Sequence, residues 1–131
     1  MRILSILLFL SIGFLARSQD QVTADVSRAI GNGNAGQVGQ YFTPNVDVAI
    51  LGREEMYSSS EATAQLQRFF SSHQVISFEV KHKGTSKLDD QYRIGDLKTA
   101  KGEFRVTFFM KKTPQGMRIK QIRIESADDG F

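Results

Sequence analysis

Residues 91–112 read QYRIGDLKTAKGEFRVTFFMKK, and this stretch decides the fold. Phe104, Val106, Phe108 and Met110 recur at every second position, with Glu103, Arg105, Thr107 and Lys111 between them. That is the period of a strand with one face in a core. The break Ala100-Lys101-Gly102 separates it from a second strand-like run, Gln91 to Thr99, by a connection short enough for an antiparallel hairpin. The same grammar continues on both sides. Val75 to Lys83 precedes, across a break at Thr85 to Asp90, and Met117 to Ser126 follows, across Thr113-Pro114-Gln115-Gly116. Four consecutive strands with short connections predict an antiparallel meander. Its core face takes Ile76, Phe78 and Val80, then Tyr92 and Ile94, then Phe104, Val106, Phe108 and Met110. In the last strand Met117 and Ile119 share one parity and Ile122 and Ile124 the other. A β-bulge near Lys120-Gln121 places all four on one face.

Upstream of the meander the period changes to that of helices. Val22, Val26, Ala29 and Ile30 mark one helical face that stops at Gly31. A second short helix is predicted from Ala35 to Phe42, capped by Asn34 and burying Val38, Tyr41 and Phe42. Thr43-Pro44-Asn45 then forms an extended turn. Val46, Val48 and Ile50 alternate with Asp47 and Ala49 as a half-buried strand, and a second short strand around Glu55 to Tyr57 follows the Gly52 turn. Ser58-x-x-Glu61 has the form of a capping box, behind which Ala62, Leu66, Phe69 and Phe70 repeat the helical spacing. Helices concentrated in the first half and strands in the second give an α+β fold.

The first eighteen residues stand apart. Met1 and Arg2 are followed by an uncharged apolar run from Ile3 to Leu15, and Ala16-Arg17-Ser18 places small residues as a signal peptidase reads them. Residues 1–18 are expected to be a signal peptide and residues 19–131 a single domain, exported to the periplasm or the cell exterior, with no stable membrane insertion. The chain has 17 Lys plus Arg and 14 Asp plus Glu; loss of Arg2 and Arg17 leaves 15 against 14. That balance argues against nucleic-acid binding, which needs a net basic face. There is no cysteine, so disulfides and thiol chemistry are excluded. With two histidines, His73 and His82, and no metal-binding motif, no metal and no cofactor are expected.

Two helices, two short strands, a longer helix and four long antiparallel strands resemble the nuclear transport factor 2-like fold. This is a cone in which three helices pack on a strongly curved, mainly antiparallel sheet, in the order α-α-β-β-α-β-β-β-β. Within that superfamily Ala29-Ile30-Gly31-Asn32-Gly33-Asn34, Tyr41-Phe42, Val80-Lys81-His82-Lys83-Gly84 and Gly102-Glu103-Phe104-Arg105-Val106 resemble small exported bacterial proteins described as domain of unknown function 4783. The resemblance implies a pocket between sheet and helices and a tendency to dimerise. It implies no reaction.

Gly31-Asn32-Gly33-Asn34-Ala35-Gly36 matches Gly-x-Gly-x-x-Gly, but dinucleotide binding needs a strand before that motif, and here a helix precedes it. Strand parity points His82 inward with Ile76, Phe78 and Val80. An inward imidazole held by a carboxylate can work as an acid or base in an isomerase or hydratase, and Asp96 or Glu79 could supply the carboxylate. Against this, a bulge at Gly95 turns Leu97 inward and Asp96 to solvent. Glu103 and Arg105 take the outer face with Arg93, Lys81 and Lys83, as a solvated ladder or as a basic patch for an acidic glycan or phosphate. Phe109, flanked by Thr107 and Lys111, breaks that polar face and marks a self-association surface with Arg105 and Thr107. Tyr57 and Tyr92 are either pocket-mouth residues or core rings with surface hydroxyls. Ser58-Ser59-Ser60 and Ser71-Ser72 read as helix-end residues.

The sequence therefore reads as a non-catalytic binding module for a small apolar or amphipathic ligand or a protein partner. Its pocket is expected to be lined by Leu66, Phe70, Phe78, Val80, His82, Tyr92, Phe104 and Val106. The alternatives are an acid–base enzyme using His82, and a homodimeric interaction module using the outer sheet face. A third alternative is that the pocket side chains simply fill the core.

Overall fold

The computed structural model describes residues 19–127, so the expected signal peptide lies outside the described residues. The elements are α1 (Gln19–Gly31), α2 (Ala35–Gly39), β1 (Phe42–Ile50), β2 (Arg53–Ser58), α3 (Ser59–Ser72), β3 (Val75–Thr85), β4 (Gln91–Thr99), β5 (Gly102–Thr113) and β6 (Gly116–Ser126). The strands form one sheet in the order β2-β1-β6-β5-β4-β3. All neighbours are antiparallel except β1 and β6, which run parallel. The predicted meander is therefore present, and the β1–β2 hairpin joins it through β6.

Local chemistry sets the ends of these elements. Asn34 caps α2, its Oδ1 accepting from the Gln37 amide at 3.0 Å, and Ser58 caps α3, its Oγ accepting from the Glu61 amide at 3.2 Å. The last two hairpins share one device. In Thr99-Ala100-Lys101-Gly102 and Thr113-Pro114-Gln115-Gly116 the threonine hydroxyl donates to the glycine carbonyl, at 2.8 and 2.7 Å, and accepts from the third residue's amide. The glycines sit at φ 125° and 104°, where a side chain would be strained.

Helices pack on one face of the sheet, here the inner face. Val26, Ile30, Val38, Val46, Leu66, Leu97, Phe108, Met110, Ile119, Ile122 and Ile124 all lie at 1 % exposure or less. The bulge expected in β6 is present: Phe109 pairs with Gln121 and Met110 with Ile119, leaving Lys120 as the extra residue. Met117, Ile119, Ile122 and Ile124 are all buried as a result.

Several expectations are corrected. The second helix ends at Gly39 rather than Phe42, because Phe42 already pairs with Ile119 as the start of β1. Tyr41 is half-buried, and Thr43-Pro44-Asn45 lies within β1, where the β1–β6 register shifts. Ala49, expected on the open face, is 4 % exposed. Its neighbours there are Glu54 and Arg123, joined over it by a 3.6 Å ion pair.

The largest correction concerns β3 and β4. Thr99 pairs with Gly102, so Phe104 faces Leu97, Val106 faces Gly95 and Phe108 faces Arg93. Inward residues of β4 are thus Arg93, Gly95 and Leu97, while Tyr92 and Ile94 turn to the outer face. No bulge occurs at Gly95. The irregularities fall in β3, where Ile76 and Lys81 are the extra residues. Ile76 is 66 % exposed, and beyond Lys81 the parity reverses.

Candidate functional site

Of the eight expected pocket residues, Leu66, Phe70, Phe104 and Val106 belong to the packed core at 1, 6, 8 and 1 % exposure. The rings are interlocked: Phe104 meets Phe69 edge-on at 5.2 Å, and His73 stacks on Phe69 at 4.2 Å while its Nδ1 contacts the Phe69 carbonyl at 3.0 Å. Phe78 packs against the same cluster. These residues fill the space that the sequence reading left open for a ligand, which is the core-filling alternative.

The inner face opens instead at its far end, where α1 crosses β3 and β4. Asp20, Thr23, Ala24 and Ser27 from the helix and Val80, Lys83 and Arg93 from the strands line a cleft of about 530 Å³. Thr23 and Ser27 share a helical face at a spacing of four. Their hydroxyls are turned along the helix, Thr23 Oγ1 donating to the Asp20 carbonyl at 2.9 Å and Ser27 Oγ to the Thr23 carbonyl at 2.8 Å. Arg93 enters because the hairpin register places it beside Phe108 on the inner face. Lys83 stands opposite it across the β3–β4 pair.

The guanidinium of Arg93 is the unusual group. Its side chain is 8 % exposed, yet its contacts are modest. Nη1 donates to the Tyr92 carbonyl at 2.9 Å, Nη2 reaches Thr23 Oγ1 at 3.5 Å, and Nη2 lies 3.7 Å from Asp20 Oδ1. Asp20 is itself 92 % exposed, so water screens the pair. Arg93 is thus on the inner face, not on the outer face that its alternation with Tyr92 and Ile94 predicts. The signal that locates it is the two-residue Ala100-Lys101 turn, which fixes Arg93 opposite Phe108.

His82 and Asp96, the acid–base candidates, do not come together in a pocket. Past the Lys81 bulge His82 pairs with Ile94, on the outer face, and is exposed. Asp96 pairs with Glu79 and Arg105, also outside. Tyr92 lies outside too, its ring over Gly84, where an added Cβ would meet it at 2.4 Å. A His82→Ala variant is expected to keep the wild-type stability within about 0.5 kcal/mol; a larger loss by urea denaturation would place His82 in the packed interior after all.

Arg105, Thr107 and Phe109, the expected interface residues, are half-buried on the outer face. Phe109 contacts Tyr92, centroids 5.8 Å apart. Their row continues through Gln121 and Asp47 to Met56, which is 66 % exposed. The adjacent charges do not form a basic patch: Arg105 sits between Asp96 and Glu125, Lys81 pairs with Glu79 at 3.3 Å, and Arg123 pairs with Glu125 at 3.1 Å. Among the charges near the sheet, Asp90 is 9 % exposed and accepts from Lys120, the β6 bulge residue.

The remaining motifs have structural roles. Gly31 ends α1, Gly33 adopts φ 64° and Asn34 caps the five-residue α2, so a helix, not a strand, leads into the glycine motif. Tyr57 packs against the core edge, and a side-chain hydrogen bond with Glu55 raises its phenol above the usual tyrosine range. Among the described residues no group of three His, Asp or Glu side chains gathers as metal ligands, and no helix is long and apolar enough to cross a membrane.

A family model described as domain of unknown function (DUF4783) matches residues 23–125. A DUF4783 family protein from Bacteroides uniformis ATCC 8492 is similar at 34% identity and a TM-score of 0.77, over 82% of this chain and 98% of that chain. One from Bacteroides fragilis YCH46 is similar at 34% identity and a TM-score of 0.75, over 79% and 96%. An NTF2-like protein of unknown function from Cytophaga hutchinsonii ATCC 33406 shares the fold at 9% identity, with a TM-score of 0.59 over 82% and 88% of the two chains. None of the curated proteins compared matches the chain.

Proposed function

The chain belongs to the DUF4783 family and has the NTF2-like fold, and from that premise we propose that it is an exported, non-catalytic module that binds a small amphipathic ligand in the cleft between α1 and the β3–β4 end of the sheet. The observation that carries this reading is the cleft itself, about 530 Å³ with both apolar and polar walls, Val80 and Ala24 beside Thr23 and Arg93. It is an open groove rather than a closed cavity, with room for a small organic molecule along it. The groups around it are two cations and one solvent-exposed carboxylate, which suits holding a ligand better than moving a proton. The apolar leader expected over residues 1–18 supports export.

A second reading has its own observation. The Phe109–Tyr92 pair, continuing toward exposed Met56, favours homodimer formation through the outer sheet face. Native mass spectrometry of residues 19–131 purified from the periplasm tests both. A discrete mass above that of the polypeptide is expected, and repeated preparations with none argue against the binding module. Dimer, if formed by this face, dissociates in Phe109→Asp; a dimer that survives the substitution removes the outer face from the account.

A further inference from the structure

Resting on the cleft reading above, we propose that the ligand is a small organic acid, anchored by its carboxylate on Arg93 with its apolar portion against Val80 and Ala24. The argument starts from the hydrogen-bonding capacity of the guanidinium, five N–H donors in a planar fork. One strong bond goes to the Tyr92 carbonyl, and a long one goes to Thr23. Among the described residues no buried polar side-chain atom lacks a partner, so Nε, which has no protein acceptor, is reached by solvent, and Arg93 itself lines the cleft.

Charge points the same way. Arg93 stands beside Phe108, at 0 % exposure, and opposite Lys83, a second cation. A charge withdrawn from water in this way is costly unless a close counter-charge is supplied. Asp20 supplies little, at 3.7 Å and 92 % exposed. A ligand carboxylate would complete the fork with two parallel charge-assisted bonds.

A carboxylate fits better than a phosphate. The cleft adds two apolar side chains to the cations, Val80 on the sheet and Ala24 on the helix, and the hydroxyls of Thr23 and Ser27 are committed as donors to helix carbonyls, so they have no proton to give a many-oxygened anion. The site thus offers one fork and a small apolar surface made by Val80 and Ala24.

The test is titration of residues 19–131 with hexanoate, 1-hexanol and inorganic phosphate, followed by amide NMR. Hexanoate is expected to shift the amides of Thr23, Val80, Lys83 and Arg93, with 1-hexanol and phosphate producing smaller responses at the same concentration. Arg93→Met should weaken hexanoate about tenfold or more while the spectrum stays folded. Arg93→Lys, which keeps the charge and loses the fork, serves the same purpose if the methionine variant does not fold, and should weaken binding by roughly threefold or more. The proposal is overturned by no response to hexanoate at millimolar concentration, by phosphate binding more tightly than hexanoate, or by undiminished hexanoate binding in the folded variant. A cleft that takes 1-hexanol as well as hexanoate, or a neutral retained ligand in the native mass spectrum, overturns the carboxylate and leaves the binding module standing.

Discussion

Phe108→Ala is expected to destabilise the domain by about 3–5 kcal/mol, the usual loss for a fully buried phenylalanine. Phe108 is at 0 % exposure in the middle of β5, opposite Arg93 on β4 and Ile122 on β6, so on both sides a paired strand limits how far the void can collapse. A domain of this size has a net stability of about 5–15 kcal/mol, so the variant should melt roughly 15–25 °C lower. The adjacent residue provides the control. Phe109 has the same side chain on the same strand but faces outward and half-buried, and Phe109→Ala should cost less than about 1.5 kcal/mol. Urea unfolding of both variants measures the contrast. Equal losses would mean that the inner and outer faces of β5 are wrongly assigned.

That same alternation was the most legible part of the chain. Phe104, Val106, Phe108 and Met110 identify β5 and its buried face without help, and the parity change between Ile119 and Ile122 announces the β6 bulge. The starts of the second and third helices are equally plain, because Asn34 and Ser58 carry their capping chemistry in the sequence. The pattern of a single strand does not fix the faces of β4. Tyr92 and Ile94 are the apolar residues of β4, so composition assigns them to the core, whereas pairing assigns the core to Arg93, Gly95 and Leu97. The hairpin constraint outranks side-chain preference, since reversing β4 would require another register along the whole of β5. For β3 no such arithmetic was available. The Lys81 bulge has no glycine or proline to signal it, and without it His82 reads as an inward imidazole. The candidate site is therefore the least legible part: it depends on a buried arginine whose position follows from the Ala100-Lys101 turn further along the chain, not from any motif around it.

Gly95 tests how the bulge, the glycine and the cleft depend on one another. An added Cβ would lie 2.5 Å from Cε1 and Cζ of Phe78 and 2.6 Å from the Glu79 carbonyl oxygen. The ring can turn away, but the carbonyl belongs to the backbone of β3, just ahead of the Lys81 bulge, so the strand itself must move. Gly95→Ala normally gains about 0.4–1 kcal/mol by restricting the unfolded chain; here overpacking should dominate and give a net loss of about 1–3 kcal/mol. Lower urea midpoint at unchanged slope is the expected signature. Pairing the change with Phe78→Leu separates the two contacts. If the ring is the main obstacle, the double variant recovers stability relative to the sum of the singles, by a coupling of about 0.5–3 kcal/mol; if the carbonyl dominates, the losses simply add. Val80 borders the cleft and pairs directly with Gly95, so the displacement should also reach the ligand wall. Gly95→Ala protein that stays folded yet binds hexanoate like the wild type would show that the cleft does not depend on this close approach. A neutral or stabilising Gly95→Ala would remove the close packing of Phe78 over Gly95 as the reason for a glycine at this position.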